Sequence, residues 1–130
     1  MKKAILSIIL ILVVCISVTA CGSKTIYEKV ISSLEDEKFD QVSHYSEAQV
    51  NEIAEKLPNI GIQMEGKIKN IAHFTEIGVS NGEWIYVYDF ELEQDAIEFL
   101  EKYASNWENS RQEGTVVIYG KSSLIENIDI

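Results

Sequence analysis

Apolar positions fall into three regimes along this chain. Ala4 to Ala20 is a continuous run broken only by Ser7, Ser17 and Thr19, and it follows directly on Lys2 and Lys3. From Thr25 to Pro58 the apolar residues recur every three or four positions. From Gly66 onward they alternate or bunch as strands do.

The second regime predicts helices with defined starts. Thr25-Ile26-Tyr27-Glu28 reads as a capping box, followed by Ile26, Val30, Ile31 and Leu34 on one face. The acidic stretch Glu35-Asp36-Glu37 interrupts that stripe, and Phe39, Val42 and Tyr45 suggest a second short helical segment. Ser46-Glu47-Ala48-Gln49 is another capping box. Val50, Ile53, Ala54 and Leu57 then share a helix face until Pro58, with turn chemistry in Asn59-Ile60-Gly61.

In the third regime, Lys67 to Val79 and Trp84 to Leu92 read as two strands joined by Ser80-Asn81-Gly82. Glu93 to Trp107 carries Ile97, Leu100 and Ala104 on a helical face that Phe99, Tyr103 and Trp107 widen. Thr115 to Tyr119, a turn at Gly120-Lys121-Ser122, and Leu124 to Ile130 complete the β portion. The order α, α, β, β, α, β, β predicts an α+β fold, with N-terminal helices packed on an antiparallel sheet of about four strands.

The opening run has a physical reading of its own. Two lysines hold its start on the cytoplasmic side, and small residues at Thr19 and Ala20 suit a peptidase cleft. At about 1.5 Å per helical residue the run reaches roughly 25 Å, just short of a comfortable membrane crossing. Val18-Thr19-Ala20-Cys21 resembles the lipobox of bacterial lipoproteins, with Val18 where Leu is usual. The resemblance implies a diacylglyceryl group on the Cys21 thiol, signal peptidase II cleavage between Ala20 and Cys21, and palmitate-class acyl chains holding the protein to the membrane. One chain binds only marginally and two give a durable anchor. The expected organisation is therefore a signal peptide over 1–20, a lipidated cysteine and short tether over 21–25, and one domain over 26–130. The expected location is the extracytoplasmic face of the cell membrane.

Val30 to Leu57 followed by Gly66-Lys67-Ile68 resembles the NTF2-like, cystatin-like domains of small Gram-positive envelope lipoproteins. A ferredoxin-like arrangement is the competing expectation.

Composition narrows the function. Cleavage leaves about 110 residues, enough for one modest core. With Cys15 in the leader and Cys21 lipidated, the domain has no cysteine left for a disulfide, a metal or a nucleophile. The chain carries a formal charge of −10, or about −12 without Lys2 and Lys3, which disfavours nucleic acid and anionic lipid surfaces. It would suit a basic protein partner.

Candidate chemistry is sparse. Asp40 and His44, four apart, would pair on a helix surface; two ligands are too few for a structural zinc site. His73 reads as a half-buried edge residue. Asp89, Glu91 and Glu93 fall opposite the aromatic positions, which points them to solvent, and with Asp95 they miss the calcium-loop spacing. Nucleophile elbow, phosphate loop and zinc helix are all missing, so no catalytic residue, metal or cofactor is expected. Trp84, Tyr86, Tyr88 and Phe90 share one face of a strand. That face is either core or a ligand platform, and Trp84, Tyr86 and Tyr88 are its candidate ligand residues. The expected function is a non-enzymatic binding or accessory module of the envelope, taking a protein or small ligand. The alternatives are a hydrolase using a carboxylate near the aromatic strand, and an immunity or exclusion lipoprotein.

Overall fold

Two reciprocal caps begin the first two helices. Helix α1 spans Ile26–Glu35: the Thr25 hydroxyl accepts from the Glu28 amide at 3.2 Å, and the Glu28 carboxylate accepts from the Thr25 amide at 2.9 Å. Helix α2 spans Glu47–Lys56, where Ser46 and Gln49 make the same pair of bonds at 3.3 and 2.9 Å. Each box satisfies two amides that a helix start would otherwise leave bare. Ser46→Ala is expected to cost about 1 kcal/mol in urea unfolding. A loss near zero would mean that packing alone holds α2.

The computed structural model describes residues 23–39 and 41–130. Its sheet has five strands: β1 Gln41–His44, β2 Ile68–Thr75, β3 Trp84–Phe90, β4 Asn109–Glu113 and β5 Val116–Lys121. Their spatial order is β1-β2-β3-β5-β4, and every neighbouring pair is antiparallel. Helix α3, Glu93–Lys102, joins β3 to β4. Short 3₁₀ turns follow α2 (Leu57–Ile60), α3 (Ala104–Asn106) and β5 (Ser123–Asn127). The architecture is α+β, as the hydrophobic pattern predicts.

Strand alternation divides the core into two layers. One face of the sheet packs on α1 and the C-terminal 3₁₀ turn through Val30, Leu34, Phe74, Ile85, Val87, Ile118 and Ile125, all essentially inaccessible. The other face packs on α2 and α3 through Ala54, Ile71, Tyr88, Phe90, Ala96 and Phe99. The helices thus cover both faces of the sheet.

The elements differ from expectation at four places. The segment after Phe39 is strand β1, not a helical turn. Its few residues cannot repay helix nucleation, whereas the free edge of β2 offers a ladder of hydrogen bonds. Asn109–Glu113 is a strand although it lacks any apolar residue. As an edge strand, half-buried at every position, it needs none. The expected turn at Gly120 lies inside β5, and the expected strand over 124–130 begins as a 3₁₀ turn. The sheet therefore gains β1 and β4 over the expectation and loses its expected last strand.

The leader, the lipobox residues Val18, Thr19 and Ala20, and Cys21 lie outside the described residues, as does Asp40. Among the described residues no helix is long and apolar enough to cross a membrane.

Candidate aromatic pocket

Register across the three central strands brings rings abreast. Tyr86 on β3 lies opposite His73 on β2 and opposite Tyr119 on β5. Side chains directly opposite in an antiparallel pair share a face, so the three rings stack side by side. His73 and Tyr86 are 4.1 Å apart and nearly parallel, and Tyr86 and Tyr119 are 5.5 Å apart at 15°. Trp84 and Tyr88 flank Tyr86 at the i±2 positions of β3.

The end of α3 supplies a wall. Tyr103 caps the helix and Trp107 leaves the following 3₁₀ turn in extended conformation. Tyr103 stands perpendicular to Tyr119 at 5.6 Å, and Trp107 stands perpendicular to Trp84 at 5.1 Å. Ile53 of α2 and Tyr45, just before the α2 cap, close the opposite side. Together these residues enclose a pocket of about 430 Å³, open to solvent, with no Asp, Glu, Lys or Arg in its lining. That volume is ordinary for a small-molecule site.

Phenol hydroxyls pair within this lining. The Tyr86 hydroxyl is hydrogen-bonded to Tyr45, and burial together with that bond pushes its pKa well above the usual phenol range. Burial raises Tyr88 to about 12, and Tyr119, hydrogen-bonded to Tyr88, is raised further still. Burial lowers the pKa of His73 below its ordinary value, so its ring is neutral at pH 7. The pocket is uncharged.

These shifts set a pH dependence. On the opposite face Tyr27 is also raised to about 12, by burial first and then by Asp89. A phenol whose folded pKa is raised binds its proton more tightly when folded. Its contribution is complete below the unfolded value of about 10 and is lost as pH rises through the folded value. Four such phenols predict a steep fall in urea midpoint from about pH 10 upward. His73 acts in the other direction: its contribution is complete above about 6.5 and is lost as pH falls toward its lowered folded value. A flat midpoint across both windows would contradict the burial of these rings. His73→Phe should remove the loss that starts below about pH 6.5, leaving the alkaline arm and the later loss as carboxylates such as Glu83, held low by Lys38, protonate.

The carboxylates lie elsewhere. Asp89 points to the α1 face and is only 6% exposed, not solvent-directed as its parity suggests. The α1 layer covers that face, and Asp89 is satisfied there by Asn70 Nδ2 at 3.1 Å and Thr115 Oγ1 at 2.9 Å. Glu91 and Glu93 are exposed, while Asp95 is buried beside Lys67 at 3.6 Å. His44 is exposed on β1, so it shares no helix face with Asp40. His73 is on β2, an interior strand, and not on an edge. Among the described residues no group of three or more His, Cys, Asp or Glu is placed to hold a metal.

Trp84, Tyr86 and Tyr88, the residues expected on a ligand face, are brought together. The pattern along the chain did not single out Tyr45, His73 or Tyr119 as their partners. Tyr103 and Trp107 fall on a helix face by spacing. Their spacing of four was the available signal, and the break at Tyr103 turns Trp107 onto the pocket. No protein-family model, curated protein or solved structure matches this chain.

Proposed function

We propose that this chain is a lipid-anchored lipoprotein on the extracytoplasmic face of the cell membrane, acting as a non-enzymatic binding module. The aromatic pocket is its binding site for a small ligand. The observation that carries the reading is the pocket itself: about 430 Å³ of open, ring-lined, uncharged space in a small domain that needs its aromatic residues for core.

The placement of α1 supports it. A Cβ on Gly114, in the β4–β5 turn, would meet Ile26 Cδ1 at 2.8 Å, so α1 starts at that end of the sheet. Beyond the other end of α1, Lys38 pairs with Glu83 beside the β2–β3 turn. The pocket lies on the opposite face of the sheet and toward the Trp84 end. A tether running from Cys21 to Thr25 would therefore leave the pocket facing away from the membrane. A hydrolase has less support, because the buried carboxylate of the aromatic strand, Asp89, faces away from the rings.

Two mass measurements test the proposal. Intact protein from its own membrane should begin at Cys21 with acyl mass, and Cys21→Ala should remain an unprocessed precursor. Native mass spectrometry should find a small molecule retained by the wild type and lost in Trp107→Ala. A full-length unmodified mass would overturn the anchor. Turnover of a wall polymer abolished by a carboxylate change would overturn the non-enzymatic reading.

A further inference from the structure

We infer that the aromatic pocket binds a methylated organic cation of the trimethylammonium class, free in solution rather than carried on a lipid. The inference rests on the binding-module reading and names the ligand class for that site.

The ring arrangement comes first. Trp84 and Trp107 meet at 86° with centroids 5.1 Å apart, whereas Tyr86, stacked between His73 and Tyr119, turns only its edge to the pocket. Perpendicular walls present ring faces from more than one direction, which suits a spherical cation better than a flat ligand. A cation within about 6 Å of a ring centroid is drawn to the negative face of the π system, most strongly for tryptophan. Trp107 is 40% exposed, so the corner is accessible.

Hydrogen bonding separates this class from its rivals. A trimethylammonium group has no N–H and asks for no acceptor. A primary ammonium brings three donors, and the pocket offers it no carboxylate. A sugar presents hydroxyls on every side, and the lining contains no amide, acid, lysine or arginine side chain of the kind that pairs with them in twos.

Charge points the same way. The chain carries −10 overall, so its long-range field concentrates cations. Exposed Glu108 follows Trp107 in the chain. Lys121, opposite Trp84 on β5, is exposed and outside the lining, and its charge acts on Glu83. The neutral state of His73 leaves no positive charge inside to repel a cation. The pocket also faces away from the tether, which favours a soluble cation over a headgroup in the anchoring membrane.

The chain contains two tryptophans, Trp84 and Trp107, and both line the pocket, so intrinsic fluorescence reports on it directly. Full-length protein in a polyoxyethylene detergent would be titrated at constant ionic strength with choline, its uncharged isostere 3,3-dimethylbutan-1-ol, ethanolamine and an N-acetylglucosamine oligomer. Choline should give a saturable change, about fivefold to thirtyfold tighter than the isostere. Trp107→Ala should lose most of that preference and Trp107→Phe should keep part of it.

Equal affinity for choline and its isostere would overturn the cation class but leave an apolar binding module. A response to the sugar oligomer and not to choline would do the same. A response to phosphatidylcholine vesicles without one to free choline would overturn the soluble ligand. Silence with every probe, together with no retained molecule in native mass spectra, would remove the binding module as well.

Discussion

Gly120→Ala is expected to lower stability by about 3 kcal/mol or more, the largest loss for the smallest change this chain offers. Gly120 lies within β5, paired with Ile85 of β3 and Asn109 of β4. A Cβ there would sit 2.3 Å from the Trp84 carbonyl oxygen and 3.1 Å from the Ile85 Cα. Both are backbone atoms of the adjoining strand, so no side chain can swing aside. Relief requires β3 and β5 to part, which breaks ladder hydrogen bonds at the centre of the sheet. The φ of +154° adds strain for any residue with a Cβ. Because the clash falls on Trp84, pocket fluorescence should change along with the urea midpoint. Gly61→Ala is the comparison: its φ of +84° is left-handed, but the space around it is open. That variant should lose only about 1 kcal/mol, the cost of the backbone conformation alone. Equal losses at both positions would mean that β3 and β5 are not held as closely as described.

Gly120 also shows where sequence reading reaches its limit. A glycine next to Lys121 and Ser122 has turn chemistry, and nothing local distinguishes a turn from a close approach between strands. Only β3 pressing on it makes the difference. Local signals worked where the cause was local. The caps at Thr25 and Ser46, the turn at Asn81 and the stop at Pro58 each act within a few residues, and each is found where the pattern predicts it. Strand β4 was illegible for the opposite reason, since an edge strand can be polar throughout. Asp89 misled because period-two alternation identifies a face but not what covers it, and α1 covers that one. The pocket was half legible. Trp84, Tyr86 and Tyr88 follow from one strand, but the His73–Tyr86–Tyr119 row depends on two registers that no single segment encodes.

The second large effect should come from Phe99→Ala, and it should reach the pocket. Phe99 is fully buried on α3, with its ring 4.7 Å from Tyr88, 5.2 Å from both Phe90 and Tyr103, and 6.0 Å from Tyr119. Removing it deletes the support behind three pocket residues at once. The expected loss is about 3–5 kcal/mol in urea unfolding, a large share of the roughly 5–15 kcal/mol that a domain possesses. Leu34→Ala is the matched control. Leu34 is equally buried, but in the layer against α1. It should lose about 2–5 kcal/mol while leaving the tryptophan response to choline unchanged under conditions where it remains folded. Phe99→Leu keeps most of the volume, should lose less than about 1.5 kcal/mol, and should still weaken that response, because the ring on which Tyr88 and Tyr119 lean is gone. If Leu34→Ala disturbed the response as much as Phe99→Leu, the two faces of the sheet would not be independent. The pocket would then be a property of the whole core rather than of the α3 layer.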